Sequence, residues 1–334
     1  MTSPLRIGVL GAARISPPAL FIPARDTDDV VVVAIAARDR SRAQAQADEF
    51  GIERVYDTYE EVLADPEVDA IYNPLPVNAH LPWGVKALEA GKHLLQEKPL
   101  TSNAADARTL VAAGERAGLV MMEAFHWRYH PLAARLRELL DAGVVGEISS
   151  VSGSFTVRID PSDDVRHAYE LSGGALMDLG CYPAQWLRFV VGAEPRVVSA
   201  TMVEGRPNTD IITDIELLWD ATDDRGSITG AIHTAMDDTA TAGAELEVIG
   251  SKGRLHINNP IAPHNGHLLT VDVEGDQHTE VVDGLTTYHH QLHAYRDAIR
   301  HGSPIPTGGQ DAIANMELID AAYLAAGFPL RGAQ

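Results

Sequence analysis

A lysine stands where a short apolar run ends, in the segment His93-Leu-Leu-Gln-Glu97-Lys98-Pro99-Leu100. If that run is a parallel strand, its carboxyl end borders the cleft in which open α/β folds bind ligands. An ammonium group there can hold a hydroxyl or carbonyl oxygen and stabilise the negative charge that develops during hydride transfer. We therefore predict that Lys98 is a catalytic cation that contacts both substrate and cofactor, with Glu97 also at the cofactor.

A second segment has the residue types of a pyrophosphate-binding turn. The chain reads Gly11-Ala12-Ala13-Arg14-Ile15-Ser16 directly after an apolar run. In a G-x-G-x-x-G turn, small residues let phosphate approach backbone N–H groups at a helix N-terminus. Only Gly11 of that pattern is glycine, and Ser16-Pro17 offers an N-cap and a first-turn proline. The predicted cofactor contacts in this turn are Gly11, Ala12, Ala13, Arg14 and Ile15.

The end of the next apolar run indicates which dinucleotide binds. A carboxylate at this point binds the ribose 2′-OH of NAD, whereas an arginine accommodates the 2′-phosphate of NADP. Arg38 follows the run directly and favours NADP. Asp39 either caps the following helix or takes a ribose hydroxyl, so NAD stays open. Arg40 and Arg42 are assigned to a solvated helix face.

A further apolar run, in Asp69-Ala-Ile-Tyr-Asn-Pro74-Leu75-Pro-Val-Asn-Ala-His80, leads into two prolines. Its end falls at the same predicted sheet edge, where ligands bind. We expect Pro74, Leu75 and His80 to contact the cofactor.

The elements that carry these residues alternate between strand-like and helical patterns, which is typical of βαβ units and a parallel sheet. Thr58-Tyr-Glu-Glu61 is a capping box, and Gly51, Gly91 and Gly118 stand at helix ends. Residues 1–125 are therefore predicted to form a doubly wound, Rossmann-type domain. Its strands are predicted at Leu5–Leu10, Val30–Ala36, Arg54–Tyr56, Asp69–Asn73, His93–Gln96 and Leu119–Ala124.

After a helix from His130 to about Asp141, the pattern changes to long strands, and neighbouring strands joined by short turns are expected to pair antiparallel. Residues 126–334 are predicted to form an α+β domain with a large, open, mainly antiparallel sheet. The last helix, about 310–326, is expected to pack back on the first domain. Predicted strands are Glu147–Val157, Arg196–Glu204, Ile211–Trp219, Gly226–Thr234, Glu245–Ile249, Gly253–Ile257 and Leu268–Val273, with helices over 175–191, 286–300 and 310–326.

Composition excludes several classes of protein. The 334 residues contain 47 acids against 26 bases, a net charge of −21, which repels nucleic acid and anionic membranes. Residues 204–283 alone hold 16 acids and 4 bases. One cysteine cannot form an intramolecular disulfide, and no apolar stretch is long enough for a membrane span. We expect a cytoplasmic enzyme without membrane or nucleic-acid partners.

Three segments together carry a family resemblance: the Gly11 turn, Glu97-Lys98-Pro99, and Gly173-Gly174-Ala-Leu-Met-Asp178-Leu-Gly-Cys-Tyr182. These segments resemble those of the glucose-fructose oxidoreductase / inositol dehydrogenase / MocA family. The resemblance extends over essentially the whole chain. Residues 122–131 look like the family's branch of aldose dehydrogenases and trans-dihydrodiol dehydrogenases. The resemblance implies that Lys98 is the active-site cation and that Asp178 and Tyr182 complete the catalytic and substrate-binding set.

Spacing supports these two residues independently. Asp178 and Tyr182 are four residues apart, hence on one face of a helix, and the double glycine before them would let the backbone pass close to a ligand. A lysine cation near Tyr182 would lower the pKa of its phenol and make it a general base in oxidation and a general acid in reduction.

The segment after the sixth predicted strand leaves its alternatives open. Phe125 and Trp127 suit one face of a sugar ring or aromatic diol, and equally a hydrophobic core. Arg128 suits a cofactor contact or a salt bridge between domains.

Fourteen histidines raise the question of a metal. His289 and His293 have i, i+4 spacing, but no acid stands between them as in H-E-x-x-H. We predict no metal, and we assign Cys181 to packing.

The function predicted from the sequence is NAD(P)-dependent hydride transfer to or from a CH–OH group of a small cyclic polyol. An aldose is the leading substrate, and NADP is the preferred cofactor. The alternatives are a trans-dihydrodiol dehydrogenase and a non-catalytic, cofactor-sensing regulator of the same fold. We expect a homodimer or homotetramer formed through the open sheet.

Overall fold

The computed structural model describes residues 3–162 and 164–332. The chain divides into two compact units, Met1–Arg128 with Tyr288–Ile313, and Tyr129–Thr287 with Ala314–Gln334. The boundary predicted near residue 125 lies close to the first division. The later segment that joins the first unit is mainly the helix Thr287–His301, whereas only residues 310–313 of the last helix do so.

The first unit contains a six-stranded sheet in which every pairing is parallel. Its strands are β1 (Leu5–Leu10), β2 (Val30–Ala36), β3 (Arg54–Tyr56), β4 (Ala70–Asn73), β5 (His93–Gln96) and β6 (Met121–Glu123). Their order is β3-β2-β1-β4-β5-β6, so the direction of winding reverses between β1 and β4. The predicted doubly wound sheet is confirmed, and ligands bind such sheets outside the carboxyl ends of the strands at that reversal.

Several helices of the first unit begin or end at residues with capping chemistry. The capping box at Thr58 and Glu61 forms as predicted, and Gly51 and Gly118 end their helices in the left-handed conformation that glycine adopts without strain. Asp29 binds Arg296 and Arg300 of the last helix of the unit. These helices are α1 (Ile22–Arg25), α2 (Arg40–Phe50), α3 (Tyr59–Ala64), α4 (His80–Glu89), α5 (Ala104–Ala117) and α8 (Thr287–His301).

The second unit contains an eight-stranded sheet in the order β14-β13-β12-β11-β7-β10-β9-β8. The strands are β7 (Ile148–Thr156), β8 (Arg196–Glu204), β9 (Asp210–Trp219), β10 (Ile228–Ala235), β11 (Gly243–Gly250), β12 (Gly253–Asn258), β13 (Leu268–Val273) and β14 (Asp276–Glu280). β14 was not predicted, because its exposed residues lack the apolar alternation by which a half-buried strand is recognised.

One pairing in this sheet is parallel, that of β7 with β10, and the remaining pairings are antiparallel. The predicted large, mainly antiparallel sheet is confirmed, with this one parallel pair inside it. A long connection, which includes a helix, separates the two strands and allows them to run in the same direction.

One face of this sheet is covered by a helix and the other is open. α7 (Cys181–Val191) packs closely on β7, where a Cβ at Gly153 would lie 2.9 Å from Pro183. The alternating exposed residues of β9 and β10 define the open face. The other helices are α6 (Pro131–Asp141) and α9 (Gln310–Ala325), and none in the described residues is long and apolar enough to cross a membrane.

Candidate functional site

The Gly11 turn follows the carboxyl end of β1 and contacts the carboxyl end of β2. The Gly11 N–H donates to the Ala36 carbonyl over 2.7 Å, and Gly11 has a φ of +99°, which disfavours any residue with a side chain. Leu75 Cδ2 lies 3.0 Å from the position that a Cβ would take. A residue with a Cβ at this position would press on Leu75, so the turn carries no side chain of its own here, as a pyrophosphate-binding turn requires.

The helix after this turn starts differently from the prediction. Ser16 has helical dihedral angles, so its hydroxyl cannot cap the helix in the way an extended N-cap residue does. Among the residues that the structure describes, this buried hydroxyl has no hydrogen-bond partner. The helix opens with a π-helical turn, Pro17–Phe21, while the preceding Arg14 and Ile15 are exposed at the turn.

Two side chains of α2 donate hydrogen bonds to carbonyl groups of the turn. Arg42 donates to the Ala12 carbonyl over 2.7 Å, and Gln46 donates to the Ala13 carbonyl over 3.1 Å. Arg42 is exposed, as its assignment to a solvated helix face implied, but its guanidinium also contacts the turn, which that assignment did not include. Arg40 does lie on the exposed face, where it pairs with Asp57.

Arg38 and Asp39, which follow β2, have different environments. Asp39 caps α2 by accepting from the Ser41 N–H over 3.0 Å and from the Ser41 hydroxyl over 2.6 Å. These hydrogen bonds lower the pKa of the Asp39 carboxyl. Arg38 is exposed at the end of the strand. Of the two roles open to Asp39, the structure shows the helix cap.

Lys98 follows the end of β5 and is half-buried. The Tyr72 hydroxyl donates to the buried Glu97 carboxylate over 2.7 Å, and the Lys98 N–H donates to its other oxygen over 3.3 Å. The Lys98–Pro99 peptide is cis. Glu97 thus fixes the main chain that carries the lysine.

His80 braces the same segment. Its Nδ1 lies 3.0 Å from the Pro99 carbonyl oxygen, and its Nε2 lies 2.8 Å from the Leu75 carbonyl oxygen. Burial lowers the pKa of His80 to about 4, so the ring is neutral near pH 7 and donates to one carbonyl at a time. The structure places this ring inside the fold, between the segments that follow β4 and β5. Pro74 is buried there and Leu75 is half-buried.

The residues after β6 are mostly interior. Phe125 and Trp127 are buried, with exposed fractions of 0% and 3%, which favours packing over stacking on a sugar ring. Arg128 lies in the short helix His126–Tyr129 and is half-buried.

Asp178 and Tyr182 lie in the second unit, where the predicted plain α-helix begins with a π-helical turn, Leu176–Gly180. Such turns are often found at functional sites. Tyr182 is buried and meets the Phe155 ring edge-on, with centroids 5.7 Å apart. The Asp178 side chain is 22% exposed.

Arg166 was missed by sequence reasoning and contacts Asp178 directly, with its Nη1 3.3 Å from Oδ2. The same guanidinium binds both oxygens of Asp164 at 2.7 Å. These carboxylates raise the pKa of Arg166, against the lowering effect of burial. The only signal in the sequence was the Asp164-Val-Arg166 segment. It lies between two predicted elements and has no periodicity that would have drawn attention to it.

The double glycine before Asp178 is packed directly against other atoms of the protein. A Cβ at Gly173 would lie 2.5 Å from the Arg166 carbonyl oxygen, and one at Gly174 would collide with the Asp210 carboxylate. The prediction that these glycines let a ligand pass is wrong, because protein atoms fill that space.

The histidine pair on α8 contacts the start of the chain. His289 lies 3.3 Å from an Asp26 oxygen, and His293 lies 3.2 Å from the Thr27 hydroxyl. Within residues 3–162 and 164–332, no cluster of three His, Cys, Asp or Glu could hold a metal. Cys181 is buried and not in a disulfide.

Comparison with known proteins gives two family matches. Residues 5–125 match the model "Oxidoreductase family, NAD-binding Rossmann fold", and residues 133–256 match the "GFO/IDH/MocA C-terminal domain". The family resemblance inferred from the motifs is confirmed.

Individual relatives align along most of the chain. A dTDP-3,4-didehydro-2,6-dideoxy-alpha-D-glucose 3-reductase of Actinomadura kijaniata is 33% identical, covering 96% of this chain and 95% of its own length. A D-xylose 1-dehydrogenase (NADP(+)) of Haloferax volcanii is 34% identical, covering 96% of both. A trans-1,2-dihydrobenzene-1,2-diol dehydrogenase of Xenopus tropicalis is 32% identical over 75% of this chain and 74% of its own.

Among solved structures, the 3-ketoreductase KijD10 of Actinomadura kijaniata, in complex with NADP and TDP-benzene, superposes with a TM-score of 0.88. It is 29% identical, and the match covers 97% of this chain and 98% of that one.

Proposed function

Because the chain belongs to the GFO/IDH/MocA oxidoreductase family, we propose that it transfers a hydride between a nicotinamide dinucleotide and a CH–OH group of a small cyclic polyol, an aldose first. The chain is an NAD(P)-dependent oxidoreductase; the substrate and the reacting residues are the proposal. The observation that carries it is the half-buried Lys98 at the carboxyl end of β5. Only β4 separates β5 from β1, so the two strand ends are about 10 Å apart.

That distance suits a dinucleotide whose pyrophosphate lies at the Gly11 turn, with Pro74 and Leu75 beside it. Bound nicotinamide supplies the hydride chemistry. In oxidation, Tyr182 takes the proton of the substrate hydroxyl while Lys98 holds the oxygen, on which negative charge develops. Asp178 orients the substrate, and in reduction Tyr182 returns the proton.

We assign NADP as the preferred cofactor on the basis of Arg38. Its guanidinium is exposed just past the end of β2, where a 2′-phosphate lies in this fold. Asp39, the competing ligand for a ribose hydroxyl, is already used as a helix cap.

Two substrate classes are named for relatives of this chain, a free sugar and a nucleotide-linked one. A free aldose is the substrate class named for the Haloferax volcanii relative, and the proposed reaction at a CH–OH group suits it. The dTDP-sugar named for the Actinomadura kijaniata relative is the alternative.

The experiment is a substrate panel with the purified protein, NADP or NAD, and free aldoses, cyclic polyols, a trans-dihydrodiol and a dTDP-sugar. Formation of reduced nicotinamide is followed by absorbance. We expect the highest kcat/KM with an aldose and NADP. Tight cofactor binding without turnover of any compound would instead identify a cofactor-sensing regulator.

We further propose that the open face of the second sheet mediates self-association into a dimer or tetramer. Val198 and Ile249 are 50% and 40% exposed there, and with Leu218 they line one concavity of the face. Small residues, Ser150 and Thr229, stand in register between Ile249 and Leu218 and would let a second sheet approach closely. Sedimentation of Ile249→Arg should show a smaller species than the parent protein, whereas an unchanged mass would contradict this surface.

A further inference from the structure

An ion pair lies deep inside the second unit, far along the chain from the proposed catalytic residues. Asp210, at the start of β9, and Arg331, after α9, are joined by an Nη2–Oδ1 contact of 2.8 Å. Both side chains are fully buried. Burying two charges costs several kcal/mol of desolvation, so such a pair is weak evidence for stability and calls for another role.

The Asp210 carboxylate holds the start of the π-helical turn. Its Oδ2 accepts from the Leu176 N–H over 2.7 Å and from the Thr213 hydroxyl over 2.8 Å. Its Oδ1 accepts from the Tyr323 hydroxyl over 2.8 Å, in addition to Arg331. The backbone bond matters most, because Leu176 begins the turn that contains Asp178.

Arg331 holds the other side of the same turn. Its Nε donates to the Gly173 carbonyl over 2.7 Å, and its guanidinium lies over the Tyr323 ring, 4.1 Å from the centroid. The Tyr169 hydroxyl donates to the Leu330 carbonyl over 2.9 Å and so fixes the adjoining chain.

Gly174, between the two anchored backbone groups, has a φ of +141°. A Cβ there would collide with Asp210, Tyr323 and Arg331. The double glycine, the buried pair and the helix start therefore form one interlocked arrangement.

We propose that the Asp210–Arg331 pair is a positioning device that sets the direction of the π-helical turn, and thereby the placement of Asp178 and Tyr182 for catalysis. The proposal rests on the proposed function of those two residues. Through it, Arg331, only three residues from the end of the sequence, controls turnover without touching substrate.

The main test compares Arg331→Ala with the parent protein in steady-state kinetics with NADP and the best substrate of the panel. We expect kcat to fall roughly 100-fold, as for a reacting group displaced by about 1 Å, with the KM for NADP unchanged. The matched control is Arg196→Ala, which breaks an exposed pair with Asp220 in the same unit and should leave kcat unchanged.

Tyr323→Phe keeps the test decisive if Arg331→Ala does not fold. It removes only the hydroxyl donated to Asp210 and should lower kcat by about tenfold, since one charge-assisted hydrogen bond is lost. Its control is Tyr295→Phe. Tyr295 is also fully buried, but its hydroxyl has no hydrogen-bond partner in the described part of the chain. We expect Tyr295→Phe to behave as the parent.

Amide hydrogen exchange separates this proposal from the proposed function. In Tyr323→Phe, exchange in residues 174–182 should accelerate while the strands of the second sheet keep their protection. Faster exchange with unchanged kcat, or unchanged exchange, would overturn the positioning role. An inactive parent protein would overturn the proposed function instead, and exchange would still show whether the pair holds the turn.

Discussion

Two of the proposed site residues, Lys98 and Asp178, are held in place in different ways. In the first unit, Glu97 and His80 contact the main chain around Lys98, and the lysine side chain is carried by that fixed backbone. In the second unit, the Asp178 carboxylate itself takes part in an ion pair with Arg166. Replacing the Lys98 side chain leaves the backbone contacts of Glu97 and His80 in place. Replacing a member of the ion-pair network changes the charge balance around its partners, an effect that solvent screens in part because the network is partly exposed.

Replacing Tyr182, the proposed acid–base group of the second unit, is expected to give the largest loss of activity. Tyr182→Phe keeps the ring packed against Phe155 and removes only the hydroxyl. Loss of a general acid–base group should lower kcat by about 10²–10⁴-fold, with the melting temperature nearly unchanged. Steady-state kinetics and thermal melting measure the two quantities. Turnover equal to the parent would remove Tyr182 from the mechanism.

Lys98→Met makes the corresponding test in the first unit. Loss of the group that stabilises the developing oxyanion should lower kcat by about 10²–10³-fold. Because the backbone is braced independently, stability should not change. Lys86→Met, which removes an exposed pair with Glu60, is the control and should be fully active. A Lys98→Met variant with the parental kcat would refute the proposed mechanism, although the family assignment would stand.

His80 tests the bracing itself through pH. Its pKa is about 4 in the folded protein, against 6.5 for an ordinary histidine. Between those values the unfolded chain binds the proton and the folded chain does not, so stability falls as pH decreases from 6.5 to 4. The loss approaches about 3 kcal/mol, at 1.36 kcal/mol per pH unit. Urea unfolding at pH 7 and pH 4.5 should show a smaller pH dependence in His80→Gln, whereas the exposed His301→Gln should match the parent.

Arg38 is exposed in the first unit and should affect the cofactor alone. Arg38→Ala should weaken NADP by about 1.5–3 kcal/mol, the value of a charge-assisted hydrogen bond, and leave NAD unaffected. Binding titrations with both dinucleotides measure the difference. The control is Arg40→Ala, whose guanidinium pairs with Asp57. Equal weakening of NADP and NAD by Arg38→Ala would contradict the assignment.

Arg166 gives the smallest change, and the one most specific to the charged network. Its pair with Asp178 is partly exposed, so Arg166→Met should lower kcat/KM only about fivefold, for roughly 1 kcal/mol. The parent should lose activity with added salt more steeply than the variant. Arg158→Met, which breaks an exposed pair with Asp238, is the control. An identical salt dependence in parent and variant would contradict a role for this ion pair.

The sequence predicted best the parts whose physics is local. β1 and β2 are found with their predicted bounds, because buried parallel strands read as continuous apolar runs. The capping box at Thr58 depends on three neighbouring residues and was also found.

What the sequence did not predict depends on distant residues. The role of Gly174 follows from Asp210 and Arg331, which no local pattern links to it. The contact of Arg42 with the Ala12 carbonyl likewise joins two elements across a strand, and the parallel pairing of β7 with β10 depends on the path of the chain between them.

Each compact unit is completed by a segment from late in the chain, residues 288–313 for the first and 314–334 for the second. The ribosome synthesises these segments last. About half of the chain is therefore made after residue 128 before α8 is available to complete the first unit. Neither unit can be produced whole by cutting the gene at one point. We expect a fragment ending at residue 128 to expose the surface that α8 covers and to aggregate.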